Sequence, residues 1–299
     1  MKNLFYNITP EMICAVIVTY EPDSFFESRV RVLCKQVSQV VVVDNSIKKN
    51  KADFFSDHNL HANVSIIRNG KNLGLGFALN QGVHFAQSLG FTYVILFDQD
   101  SEVYENTIAM MCKISMSIED QSFGMLGAAY KSMPDSKSSA ISYVKKKGII
   151  TSGSLVPISL FENVGEFRSD YFIDCLDSEF CLRLRKHGYS IYQTSTNLLK
   201  HAVGDPINHK IFGLRFLSTR HSADRRYYIA RNHLVMLREY RNMLSKMPFF
   251  WFIKTIRRSM YYAWIVICFE REKMLKLKAI ATGIKDGLFN KMGKRDLNE

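Results

Sequence analysis

Apolar residues in the first third of this chain come in short unbroken runs that each stop at polar residues. Runs of five to eight β-branched and aromatic residues fit strands buried on both faces better than helices. Met12 to Thr19 (MICAVIVT) predicts a first strand, ending in Tyr20-Glu21-Pro22-Asp23. Ser38 to Val43 predicts a second, ending in Asp44-Asn45-Ser46, and Val64 to Arg68 a third. Tyr93 to Phe97 predicts a fourth, which stops at Asp98-Gln99-Asp100. Between them, helical spacing runs from about Ser24 to Cys34 and from about Leu75 to Leu89, the latter after the turn-rich Asn69-Gly70-Lys71-Asn72-Leu73-Gly74. A weak helix is expected in the polar stretch between the second and third strands. Strand alternating with helix predicts an α/β domain whose parallel sheet carries helices on both faces.

The second half has a different texture. Gly124 to Ala129 and Gly148 to Pro157 predict shorter strands around a Ser/Lys-rich loop at 131–147. Asp174-Cys175-Leu176-Asp177-Ser178-Glu179 opens a helix over Phe180 to His187, with Gly188 as a left-handed C-cap. Carboxylates in a first helical turn complement the helix dipole, which is a sufficient reason for Glu179. Asp177 also has a functional reading, as a general base at the lip of a site.

Ligands of parallel α/β sheets bind outside the carboxyl ends of the strands. Those ends carry Thr19 and Glu21, Asp44 and Asn45, then Asp98 and Asp100. In an extended chain Asp98 and Asp100 point the same way. Two carboxylates on one face suit a hard divalent cation that also binds phosphate oxygens. The alternative is a solvated turn capping the next helix.

Composition changes little in this picture: 299 residues with 47% hydrophobic and 23% charged side chains are ordinary for a folded protein. Met1 to Thr9 has neither the basic nor the long apolar region of a secretory signal. Six Cys without a Cys-x-x-Cys pair read as free thiols in a reducing compartment.

Charge changes more. From Lys200 onward 21 Lys and Arg face 8 Asp and Glu, whereas residues 1–199 carry 19 against 20. The positive charge therefore belongs to the last third, which suits an anionic surface. Met247 to Phe269 is dense in aromatics but cut by Lys254, Arg257 and Arg258. Its longest uncharged run, Ser259 to Phe269, is too short to span a bilayer, so it reads as a helix in the membrane interface. A helical hairpin packed on the domain and a homodimer contact are the alternatives.

Taken in order, these residues resemble the inverting, GT-A-fold sugar-nucleotide transferases of glycosyltransferase family 2, and bacterial rhamnosyltransferases within it. The resemblance covers roughly residues 12–235. It rests on Val16-Ile17-Val18-Thr19-Tyr20, Val43-Asp44-Asn45-Ser46, Asn69 to Gly74 with Ala78-Leu79-Asn80-Gln81-Gly82, and Asp98-Gln99-Asp100-Ser101. It continues through Asp174 to Arg183, His201, and Arg226-Tyr227-Tyr228-Ile229-Ala230-Arg231-Asn232.

The resemblance implies a GT-A domain over 1–235, with a nucleotide-binding half at about 12–101 and an acceptor half at about 102–235. A helical, basic-aromatic extension follows at 236–299. It places Thr19, Glu21, Asp44, Asn72, Gly74, Asn80 and Asp98 around the donor nucleotide, and Asp100 and His201 on a Mg²⁺ or Mn²⁺ ion. Asp177 stands where relatives keep the catalytic base. Many of them have Glu-Asp where this chain has Leu176-Asp177, which leaves Asp174 as a second candidate. Arg226 and Arg231, five apart in a helix-like stretch, are expected on a diphosphate.

The implied donor is dTDP-rhamnose, with a UDP-sugar or another dTDP-sugar as alternatives. The acceptor is a saccharide or a polyprenyl-diphosphate-linked glycan of bacterial surface polysaccharide. The implied location is cytoplasmic, on the inner face of the cell membrane. Two other classes fit these residues less well. An aspartate-dependent phosphohydrolase would use Asp98 as nucleophile, but that motif usually sits on a first strand and here three precede it. A non-enzymatic membrane or nucleic-acid binder leaves the strand-end carboxylates unexplained, and these would repel a phosphate backbone.

Overall fold

The computed structural model describes residues 7–47, 62–130, 141–200, 207–211, 214–244 and 250–295. By packing the chain divides into two units, one of residues 1–168 with 180–202 and the other of 169–179 with 203–299. The weak helix expected between the second and third strands falls outside the described residues.

The first unit is built on a nine-stranded mixed sheet. Its strands are β1 (Ile13–Thr19), β2 (Gln39–Asp44), β3 (Val64–Arg68), β4 (Tyr93–Asp98), β5 (Glu102–Val103), β6 (Phe123–Tyr130), β7 (Tyr143–Lys146), β8 (Ser154–Pro157) and β9 (Ser190–Lys200). They run in the order β3-β2-β1-β4-β8-β6-β9-β5, with β7 added on β9. β3, β2, β1 and β4 are mutually parallel, with Thr19 level with Asp44 and Val18 level with Asp98. β8 runs antiparallel to β4 and β6, and β6 runs parallel to β9.

Helices α1 (Phe26–Cys34), α2 (Leu75–Ser88), α3 (Thr107–Met116), α4 (Ser159–Val164) and α5 (Leu176–Lys186) complete the layers; the division between the units falls inside α5. Ile13, Ala15 and Ile17 of β1 share one core with Phe26, Val30 and Leu33 of α1 and with Ile108, Met111 and Cys112 of α3. The opposite face of β1 meets α2, where a Cβ at Gly82 would fall 2.2 Å from Val16 Cγ1. Both faces of the sheet are thus covered, as the continuous apolar runs require.

The second unit has a β-hairpin, β10 (Ile207–Ile211) and β11 (Leu214–Ser218), and helices α6 (Ala223–Glu239), α7 (Arg241–Leu244), α8 (Phe250–Phe269) and α9 (Lys273–Leu288). α6 starts at Ser222, whose side chain accepts the Arg225 N–H as an N-cap. Residue 235, the expected end of the catalytic domain, falls inside α6, which packs on α9. The two helices approach closely because α9 turns glycines toward α6. A Cβ at Gly283 would lie 2.4 Å from the Tyr227 carbonyl oxygen, and one at Gly287 3.0 Å from that of Arg231.

A buried charge cluster ties this unit together. Glu270, after the end of α8, accepts from Arg226 of α6, from Lys276 of α9 at 2.9 Å and from Ser218 of β11 at 3.0 Å. Burial alone would raise the proton affinity of Glu270, but Lys276 and Arg226 outweigh it and hold the carboxyl below its ordinary value. A group depressed in this way contributes stability above its unfolded pKa and loses it as pH falls through the folded one. Removing it strands two buried cations, which typically costs about 3–5 kcal/mol. Glu270→Ala is therefore expected to lower urea-denaturation stability by several kcal/mol at neutral pH, with a smaller deficit in acid.

Candidate active site

Three parallel strands deliver the first group of residues. Thr19 at the end of β1 is buried, and its hydroxyl donates to Asp44 Oδ1 at the end of β2 (3.0 Å). The Ser46 N–H donates to the same oxygen at 2.9 Å, and the Asn45 N–H extends the ladder to the Thr19 carbonyl at 2.8 Å. Asp44 is itself buried, 6% exposed, and of its two carboxylate oxygens only Oδ1 has a hydrogen-bond partner among the described residues. Glu21, in the left-handed region at φ 47°, donates its N–H to Ser46 Oγ at 2.8 Å.

The turn-rich loop joins this network through amide side chains. Asn45 Nδ2 donates to the Gly74 carbonyl (3.1 Å), and Asn69 Nδ2 donates to Asn45 Oδ1 (2.9 Å). Asn72 Oδ1 accepts the Gly74 N–H at 3.0 Å, an Asx turn that leads into α2. Gly74, at φ 90°, occupies a conformation that a side chain would oppose. Asn80 has a packing partner: its amide exchanges both hydrogen bonds with the Phe167 backbone, at 2.9 and 3.0 Å.

β4 ends at Asp98, and Gln99 and Asp100 already lie in a turn closed by the Ser101 N–H on the Asp98 carbonyl (3.2 Å). Strand alternation therefore does not relate Asp98 to Asp100; a four-residue turn carries both. Asp98 is half-buried and Asp100 exposed. Gln99 fastens the turn in place. Its Oε1 accepts the Tyr20 N–H at 2.7 Å, and its carbonyl accepts Arg29 Nε at 2.9 Å. Ser152 supports it from the other side, with its hydroxyl 3.2 Å from the Asp98 N–H and 2.6 Å from Ser101 Oγ. Reading the sequence for charge missed Arg29, Gln99 and Ser152, which act on backbone groups.

Among the described residues no group of three or more His, Cys, Asp or Glu side chains is placed to hold a metal ion. His201 lies outside the described residues.

The second unit carries the candidate bases. Asp177 lies in the first turn of α5, and its Oδ1 accepts the Ser178 N–H at 2.7 Å. Burial, and to a lesser degree the neighbouring Asp174, push its pKa up, against the Ser178 N–H. Asp174 is held by a guanidinium fork, with Arg225 Nη2 on Oδ1 at 2.5 Å and Nε on Oδ2 at 3.2 Å. Glu179 is 1% exposed and accepts the Tyr240 hydroxyl at 2.6 Å, a structural placement. The loop before α5 is strained: Phe172, Asp174 and Cys175 all have φ between 63° and 65°. Left-handed non-glycine residues cost about 1–3 kcal/mol each and persist where their surroundings fix them.

The expectation that Arg226 and Arg231 grip a diphosphate does not fit their placement. Both are buried, at 1% and 0% exposed. Arg226 faces Glu270, and Arg231 donates to backbone carbonyls at Asp170, Tyr171 and Gly293. The physical reason is that α6 turns this arginine face into its own unit.

Residues 14–151 match the model of the glycosyl transferase family 2. The dTDP-rhamnosyl transferase RfbF of Shigella flexneri is 28% identical, over 92% of this chain and 95% of that one. Among solved structures, the mannosyltransferase PcManGT from Pyrobaculum calidifontis, in complex with GDP-Man and Mn²⁺, superposes with a TM-score of 0.54 at 15% identity, over 95% of this chain and 78% of that chain. S. aureus TarS 1–349 in complex with UDP-GlcNAc superposes with a TM-score of 0.52 at 12% identity, over 91% and 80%. In sequence the chain is like the family 2 glycosyltransferases, and rhamnosyltransferases in particular; in architecture it has the GT-A fold.

Proposed function

We propose that this chain, a glycosyltransferase of the family 2 type, transfers L-rhamnose from dTDP-rhamnose with inversion onto a saccharide or polyprenyl-diphosphate-linked acceptor of a bacterial surface polysaccharide. The observation that carries the reading is the network at the ends of β1, β2 and β4, which gathers Thr19, Asp44 and the Asp98–Asp100 turn. The choice of sugar rests on the likeness to the Shigella transferase. A donor-hydrolysis screen across dTDP- and UDP-sugars tests it; equal or better turnover of another sugar replaces rhamnose.

Asp44 Oδ1 is occupied by Thr19 and Ser46, so Oδ2 is the acceptor left for the imide N–H of a thymine or uracil. Glu21, Asn72, Gly74 and Asp98 border the rest of the nucleotide. Asp100, with His201, would hold a Mg²⁺ or Mn²⁺ ion beside Asp98, since such ions are commonly held by one or two carboxylates together with substrate phosphates. When bound, the ion supplies charge neutralisation to the departing diphosphate. An acceptor hydroxyl oxygen forms the new bond to the anomeric carbon as the carbon–oxygen bond to dTDP breaks on the opposite face. Asp177 takes the hydroxyl proton. A carboxyl whose proton affinity is raised by burial suits that role better than Asp174, which Arg225 already occupies.

We also place the enzyme on an anionic membrane face. No helix among the described residues is long and apolar enough to cross a membrane. On α8, however, Ile253, Ile256, Met260 and Ile267 are exposed at helical spacing, beside Lys254, Arg257 and Arg258.

Three outcomes are expected. Asp177→Asn should bind donor normally, turn over about 10²–10⁴-fold more slowly, and abolish the acid limb of the pH–rate profile. In the parent that limb should lie above the ordinary carboxylate range, with activity falling as pH drops and Asp177 protonates. Asp100→Asn should lose transfer with its fold intact, and EDTA should silence the parent; equal rates with and without EDTA would remove the metal assignment. Replacing Lys254, Arg257 and Arg258 with Gln should weaken co-sedimentation with anionic vesicles at low salt, leaving transfer to a short soluble acceptor unchanged. Equal, negligible sedimentation of the parent with anionic and neutral vesicles would remove the membrane placement.

A further inference from the structure

The loop that precedes Asp177 is gripped from one side by two consecutive residues of α6. Asn232, fully buried, donates from a single amide nitrogen to the carbonyls of Tyr171 (2.9 Å), Ile173 (2.8 Å) and Asp174 (3.0 Å). Arg231 donates from Nη2 to the carbonyls of Asp170 (3.2 Å) and Tyr171 (3.0 Å), and from Nε to Asn232 Oδ1 (3.0 Å). These carbonyls belong to the stretch in which Phe172, Asp174 and Cys175 take left-handed φ values.

A second element reaches the same loop. After α9 the chain passes back across it, so that the Gly293 N–H donates to the Asp170 carbonyl at 2.7 Å and the Gly293 carbonyl accepts Arg231 Nη1 at 2.6 Å. Lys294 Nζ lies 5.9 Å from the centre of the Phe172 ring, which stacks on Tyr228 at 5.0 Å. Arg295 anchors the strap: its N–H donates to the Tyr228 hydroxyl at 2.7 Å, its guanidinium pairs with Asp224 at 3.2 Å and covers the Tyr227 ring at 4.7 Å.

We infer that Arg231, Asn232 and residues 291–295 form a clasp that positions the Asp174–Asp177 loop for proton removal from the acceptor. The three belong to one device because Arg231 bonds the loop, Asn232 and the strap at once. A left-handed run of ordinary residues relaxes when its carbonyls lose their donors, and a base displaced by an ångström loses much of its advantage. None of the three touches a substrate in this scheme; they act as positioning residues. The inference rests on the reading of Asp177 as the base.

The test compares Asn232→Ala and a chain shortened after Asn290 with the parent and with Asp177→Asn. Each is followed by thermal melting, kcat, donor KM, the pH–rate profile and hydrogen exchange of residues 170–175. The expected result is a 10- to 100-fold fall in kcat with donor KM within two-fold, a displaced acid limb, and faster exchange confined to the loop. The shortened chain keeps Arg231 and Asn232, so it reports on the strap even if Asn232→Ala fails to fold. Faster exchange in the loop with the parent's kcat and acid limb would overturn the inference, as would loop exchange like the parent's in the shortened chain. If Asp177→Asn itself turns over normally, the base assignment falls; a clasp serving that base falls with it, whatever the loop exchange shows.

Discussion

A parallel strand covered on both faces has nowhere to put polar chemistry except its ends. β1, β2 and β4 are buried along nearly all their length, with helices above and below, and the polar side chains at their carboxyl ends are Thr19, Asp44 and Asp98. Their level registers bring Thr19 and Asp44 side by side. Several other features of the first unit support that edge. Gly82 lets α2 settle on β1, the Asn45–Asn69–Gly74 bonds shape the loop beside it, and Gln99 ties the acidic turn to the end of β1.

This edge was legible in the sequence because burial on both faces writes an uninterrupted apolar run, and the end of such a run is visible without neighbours. β1 to β4 lie within a residue or two of their expected positions. β9 was not, because it is only partly covered and mixes Gln193, Thr194 and Asn197 with its apolar residues. β7 was hidden in a Lys-rich stretch for a similar reason: as a mostly exposed strand it has no reason to be apolar. The orientation of Asp100 failed on a different point, since alternation holds only while the chain stays extended, and β4 ends two residues earlier.

The arginines of α6 show the limit of reading charge from spacing. Sequence marks a cation but not what faces it, and the partner of Arg226 lies 44 residues away at Glu270. For Arg231 the partners are backbone carbonyls, which no composition reveals. A signal was present in Asn232, a short amide between an arginine and the apolar end of a helix. Such a residue is poorly placed for helix propensity and well placed for collecting carbonyls.

The glycines of α9 carry a warning for anyone who would stabilise this protein by improving its helices. Gly283 lies in the body of a sixteen-residue helix, where exchanging glycine for alanine ordinarily gains about 1 kcal/mol, and Gly287 lies in its last turn. Local preference would recommend both changes. The methyl group at 283 would stand 2.4 Å from the Tyr227 carbonyl oxygen, so the gain in propensity would be spent in separating two helices. Their absence of side chains is a shape, cut to fit the backbone of α6, and consensus or propensity engineering would erase it without registering any loss.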